Sequence, residues 1–224
     1  EFRRVLFRSK QDHGSGQHDY PRWQKDWLEL LRRVPNVTAS TAWEWPVADQ
    51  FARADLIVCY FWNHDWSGER YQQLDAFLAR GGGFVVFHSA TIADKEPEKL
   101  AARIGLAAQP GPTKYLHTPV TLRFNESLAH PITRGLQSLD LLDEPYWPMI
   151  GDTNRVTILA SATQEGAERP LIWTHEQGRG RVFASIAGHY TWTLDDPVFR
   201  LLALRGLAWA ANELVERFQA AVAE

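Results

Sequence analysis

Eight histidines, at positions 13, 18, 64, 88, 117, 130, 175 and 189, are the residues in this chain best equipped for chemistry. None shows the i, i+4 spacing of a helical metal motif such as H-E-x-x-H, so no single segment announces a metal site. Their flanking sequence is more informative. His13 and His18 lie in a polar, glycine-bearing stretch over 11–21, and His64 lies in the loop Trp62–Trp66. His88 closes the apolar run Gly83–Phe87, and His189 follows the run Val182–Ile186. If those runs are parallel strands, the loops beyond them meet at one sheet edge. Converging imidazoles are the usual means of holding zinc or a similar divalent ion. Taken singly, each loop histidine is as well explained by hydrogen bonds to backbone or water. The metal reading therefore rests on the convergence of His13, His18, His88 and His189. His117 and His130 carry weaker signals, the latter as a cap on the turn His130-Pro131-Ile132-Thr133, and His175 opens a hairpin where exposure is expected.

Among the acids, Asp143-Glu144 stands between the apolar Leu139–Leu142 and Pro145-Tyr146-Trp147. Aromatic surroundings raise a carboxyl pKa, which would make Glu144 an acid or base beside His88 and His189. A ligand role or a solvated turn fits the same residues. Ser89 lacks a nucleophile elbow, because Phe87 and Thr91 occupy positions that need small residues. The triple glycine 81–83 precedes its strand instead of following it, so no nucleotide cofactor is expected. Aromatics in loops beside such a site suit sugar stacking, or serve as plain packing. Tyr20, Trp62, Tyr146 and Trp192, with Ser89, are the candidate substrate contacts.

The elements that must position these groups follow from periodicity. Gly83–Phe87 reads as a strand buried on both faces, the central strand of a parallel sheet. The preceding segment carries Tyr71, Leu74, Phe77 and Leu78 at helical spacing. Alternating strand and helix patterns up to about residue 104 predict parallel strands with right-handed crossovers. Beyond Pro110 short strands are expected at 120–124, 139–142, 156–160, 171–174 and 181–186. Gln177-Gly178-Arg179-Gly180 forms a C-terminal hairpin between the last two. An apolar helix over 198–211 ends the pattern. The expected fold is a three-layer α/β/α sandwich, flavodoxin-like, with a mostly parallel central sheet.

The opening EFRRVLFRSK departs from that pattern. Only Val5-Leu6-Phe7 suits a strand, among four arginines that resist burial. Residues 1–10 read as a non-native scar or a surrogate first strand contributing little stability, and 11–224 as one domain. With 224 residues, a net charge of −3 and 45% hydrophobic residues, the chain has neither a nucleic-acid footprint nor the composition of a disordered segment. No apolar run is long enough for a membrane span and no signal peptide is visible; with a single cysteine, a reducing cytoplasm is the expected compartment. The single cysteine, Cys59, lies in an apolar run and is expected to be an inert, buried thiol. Ten tryptophans exceed what one small core needs, which motivates a homodimer.

A family resemblance runs from about Asp12 to Ala211. It rests on Asp12-His13-Gly14, on His18-Asp19-Tyr20-Pro21, and on Gly81-Gly82-Gly83-Phe84-Val85-Val86-Phe87-His88. It continues in 130–136, in Asp143-Glu144-Pro145-Tyr146, in 178–183, and in Gly188-His189 with Trp192 and 196–210. The chain resembles the ThuA-like (trehalose-utilisation) domains, within the class I glutamine amidotransferase-like fold. That resemblance implies a role in carbohydrate use and makes a bound divalent ion plausible. It places His88 where working amidotransferases carry a cysteine nucleophile, so no glutaminase activity is expected. Two functions follow. One is a metal-assisted hydrolase, isomerase or lyase acting on a sugar or keto-sugar; the other is a non-catalytic sugar-binding or regulatory protein using the inherited pocket.

Overall fold

Five consecutive buried residues form the strand that organises the molecule, Gly83–Phe87. The computed structural model describes residues 2–221. In chain order its strands and helices are β1 (Phe2–Arg8), α1 (Tyr20–Arg32), β2 (Val37–Trp43), α2 (Ala48–Arg53), β3 (Leu56–Cys59), α3 (Gly68–Ala79) and β4 (Gly83–Phe87). Then come α4 (Pro97–Ile104), β5 (Leu106–Ala107), β6 (Lys114–Tyr115), β7 (Thr118–Phe124), β8 (Ser138–Asp143), β9 (Tyr146–Trp147) and β10 (Ile150–Gly151). The last are β11 (Thr157–Gln164), β12 (Ala167–Gln177), β13 (Gly180–Ser185), α5 (Thr191–Asp195) and α6 (Pro197–Ala210).

Nine strands form one sheet in the order β2-β1-β3-β4-β13-β12-β11-β7-β8. Phe87 packs on Trp27 of α1 and Phe199 of α6, so these two helices share a face. On that face Gly83 abuts the backbone of Ala210, where any side chain would collide. Gly180 sits as closely against Leu78 of α3 on the opposite face. Helices therefore cover both faces of the central strands, as the alternating pattern predicts. Among the described residues no helix is long and apolar enough to cross a membrane.

Two expectations are corrected here. The sheet is mixed and not mostly parallel. Pairings among β2, β1, β3, β4 and β13 are parallel, whereas β13–β12, β12–β11, β11–β7 and β7–β8 are antiparallel. Strand direction past β13 depends on hairpin connections, which apolar runs alone do not encode. The second concerns the arginines of the opening segment, expected to resist burial: the segment forms the first strand, β1, paired along its length to β2 and over Arg4–Phe7 to β3. Its Leu6 and Phe7 are fully buried, and so is Arg4, whose guanidinium lies 4.3 Å from the Phe2 ring and 4.1 Å from the Phe218 ring. Burial pulls the Arg4 pKa down to about 9, with the nearby charge of Arg217 adding to the effect.

Candidate metal centre

Because β4 and β13 are parallel neighbours, the residues that follow them emerge side by side. His88 is the first residue past β4, and its left-handed backbone (φ +48°) turns the ring out of the strand line. Its Nδ1 lies 2.6 Å from the Ile186 carbonyl and can only donate there. With Nδ1 donating, the neutral form of the ring presents Nε2 as a bare lone pair. Gly188, with φ +138°, bends the chain after β13 and lets it pass against the Cβ of His88.

Three polar groups crowd that lone pair. His88 Nε2 is 2.8 Å from the Tyr146 hydroxyl, 3.1 Å from His189 Nδ1 and 3.1 Å from Glu144 Oε2. Glu144 Oε2 is in turn 3.0 Å from His189 Nδ1 and 3.1 Å from the Tyr146 hydroxyl. The Tyr146 hydroxyl and His189 Nδ1 supply at most two protons for these five contacts. The lone pairs of His88 and Glu144 then face each other with nothing between them. His18 completes the group. Its Nδ1 lies 2.8 Å from Asp12 Oδ1 and 2.8 Å from the Tyr20 hydroxyl, while its Nε2 is buried without a partner. His189 Nε2 is also buried and unpartnered. His18, His88, Glu144 and His189 each offer a ligand atom within 4.8 Å of the others.

Electrostatics favour ionised carboxylates beside neutral imidazoles. Burial lowers the pKa of His18 to about 3, against the opposing hydrogen bond to Asp12. Burial lowers that of His189 as well. Burial alone would raise Glu144, but the neighbouring His189 and His88 rings outweigh it and hold the carboxyl far below its ordinary range. Asp12 is held at about 2 in the same way, by His18 and His13. Burial raises the hydroxyl pKa of Tyr146 and of Tyr20, keeping both protonated as donors. Neutral nitrogens with ionised oxygens form the donor set a divalent cation requires.

The group opens into a cleft of about 430 Å³ whose walls include His13, Trp62, Tyr115, His117, Glu144 and Tyr146. Sequence reasoning brought His18, His88 and His189 together as placed here. His13 stands at the cleft wall, its Nδ1 2.8 Å from Asp12, outside the buried four. Glu144, expected as an acid or base, lies among the nitrogen donors. Tyr20 and Ser89 are buried beneath the site and bonded to each other at 2.9 Å. Trp62 lines the cleft, its Nε1 donating to Asp94 at 2.9 Å. Trp192 stacks on Tyr190 and is half exposed, away from the cleft lining. His64 also stays apart, bonded to Asp94. His175 corrects an expectation: it is buried, not exposed, and donates from Nδ1 to the Arg155 carbonyl at 2.9 Å.

His117 was undervalued by sequence. Its Nε2 lies 2.9 Å from Glu144 Oε1 and its Nδ1 2.6 Å from the Tyr190 hydroxyl, so it extends the buried cluster into the cleft. Its only signal was position, two residues after Tyr115 in a segment pairing with Tyr146-Trp147. Asp12 stands in the sequence only as part of the motif Asp12-His13-Gly14, and its adjacency to His13 and six-residue distance from His18 are the signals that mark it.

Comparison with known proteins agrees with this architecture. The family model for ThuA, described as trehalose utilisation, matches residues 4–210. A ThuA-like protein from Parabacteroides merdae superposes with a TM-score of 0.73 at 20% identity, covering 95% of this chain and 91% of that one. A ThuA-like protein from Bacteroides uniformis gives 0.70 at 15% identity, covering 97% and 95%. A β-galactosidase from Bacillus circulans contains a region of the same fold, with a TM-score of 0.63 at 12% identity over 93% of this chain and 30% of that enzyme. No curated protein matches the sequence. With the match spanning β1 to the end of α6, the chain belongs to the ThuA trehalose-utilisation family.

Proposed function

We propose that this protein is a metal-dependent enzyme acting on a sugar or keto-sugar. The observation that carries the reading is the shortage of protons among His88, Glu144, His189 and Tyr146, beside two buried, unpartnered imidazole nitrogens. A cation among them removes the lone-pair conflict and uses the spare donors. Three imidazoles and a carboxylate are ligand types that zinc takes, and a substrate oxygen would have to join them as a further ligand. His18, His88 and His189 would supply the nitrogens and Glu144 the oxygen. Zinc held there would act as a Lewis acid, polarising a carbonyl or hydroxyl group of the substrate.

The remaining side chains bind and orient. Asp12 accepts from His18 Nδ1 and the Ile186 carbonyl from His88 Nδ1, so each ring is fixed with Nε2 facing inward. Tyr146 holds a proton at its hydroxyl next to the donor set. His117 joins Glu144 to the cleft, where it can relay a proton between the buried carboxylate and a bound hydroxyl. Trp62 and Tyr115 offer aromatic faces to a ring, and among the described residues no lysine or arginine lines the cleft, which suits an uncharged sugar over a sugar phosphate.

The test is metal analysis of protein purified without a histidine tag, followed by zinc titration of the wild type, His88→Ala and His175→Ala. Wild type and His175→Ala are expected to bind one zinc, and His88→Ala none. Equal binding by His88→Ala would refute the site. A screen of sugars and keto-sugars then distinguishes turnover from binding alone, and binding without turnover would identify a sugar-binding protein instead.

A further inference from the structure

Glu144 and His189 come from distant parts of the sheet. Glu144 follows β8 at the sheet edge, whereas His189 follows β13, four places away in strand order. One side chain ties them together. Asp143 is 1% exposed, and its contacts are neutral donors from both segments. Its Oδ1 accepts from the backbone N–H of Glu144 at 2.7 Å and of His189 at 3.1 Å. Its Oδ2 accepts from the N–H of Gly188 at 3.1 Å and from the Thr193 hydroxyl at 2.5 Å.

We infer that Asp143 is a positioning residue of the metal centre, fixing Glu144 and His189 through one carboxylate oxygen. The inference rests on the metal reading above. A buried carboxylate is costly unless hydrogen-bonded, and here its bonds fall on the backbones of two proposed ligands instead of on a cation. Oδ1 sets the separation of the ligand-bearing backbones, the Gly188 N–H lies 3.3 Å from Oδ1 and 3.1 Å from Oδ2, and Oδ2 alone takes the Thr193 hydroxyl of α5. Removing the charge weakens the grip on both ligands at once, whereas removing Thr193's hydroxyl touches the Oδ2 side alone.

Three proteins, wild type, Asp143→Asn and Thr193→Val, are compared by zinc titration and by the visible spectrum of the cobalt(II) form. Asp143→Asn is expected to weaken zinc binding by about tenfold to a hundredfold, the usual effect of losing a partner that orients ligands. Its cobalt band should also shift. Thr193→Val is expected to lower the melting temperature while keeping the wild-type zinc affinity and cobalt band. Wild-type affinity and spectrum in Asp143→Asn would overturn the inference, and so would an equal loss of zinc affinity in Thr193→Val. Asp143→Ser serves the same comparison if the asparagine variant does not fold. A wild type that binds neither zinc nor cobalt would refute the metal centre itself, a separate result.

Discussion

Lowering the pH of the metal-free protein should destabilise it well before any carboxylate titrates, and His18 sets the size of the effect. Its folded-state pKa is lowered to about 3 by burial, from an unfolded value of 6.5. A depressed pKa means that the unfolded chain takes up the proton first, so the stability it contributes is present above pH 6.5 and lost as pH falls toward 3. Integrating between pH 7 and pH 5 gives a loss of about 2 kcal/mol from His18 alone. For a chain of this size that is a fall of about 4–8 °C in melting temperature. His189 is shifted in the same direction and adds to it. Asp12 and Glu144 have ordinary values of 3.8 and 4.5, so their losses begin at more acid pH and leave the 5–7 window to the imidazoles. The assay is differential scanning calorimetry of EDTA-treated wild type and His18→Gln at pH 7 and pH 5. The substitution should flatten the pH slope by roughly the His18 share, about 2 kcal/mol. Parallel slopes in the two proteins would show that His18 is not held neutral by burial, and the donor-set argument would fail with it.

Two further outcomes concern β1. Arg4→Met should stabilise the protein by about 2 kcal/mol, because the depressed Arg4 pKa corresponds to a charge-burial penalty of roughly 4–5 kcal/mol, offset in part by its two ring contacts. An unchanged or lower melting temperature would contradict this. Deleting residues 1–9 should leave no folded protein, since burial of Val5, Leu6 and Phe7 contributes about 2 kcal/mol or more each and both flanking strands lose a partner. A soluble deletion variant melting near the wild type would show β1 to be dispensable.

Local pattern was enough for most elements. The apolar run at 83–87, the amphipathic spacing of Tyr71, Leu74, Phe77 and Leu78, and the glycine turn at 177–180 each act within a few residues, so the sequence states them directly. The meeting of His18, His88 and His189 was legible too, because parallel strands deliver all their following loops to one edge. Other features depend on partners far along the chain. Arg4 reads as a surface residue, yet the rings that cover it include Phe218. His175 reads as the exposed start of a hairpin, but Gly105 packs against its Cβ and Arg155 accepts its proton. Glu144, Tyr146 and His117 reach the centre only because the antiparallel half of the sheet, with register shifts between β11 and β12, brings the end of β8 to the loop after β13. Twist and bulges accumulate across several strands and appear in no local spacing. The nitrogen donors were thus set by strand periodicity. The position of Glu144 was decided by the antiparallel half of the sheet, which brings the end of β8 to the loop after β13.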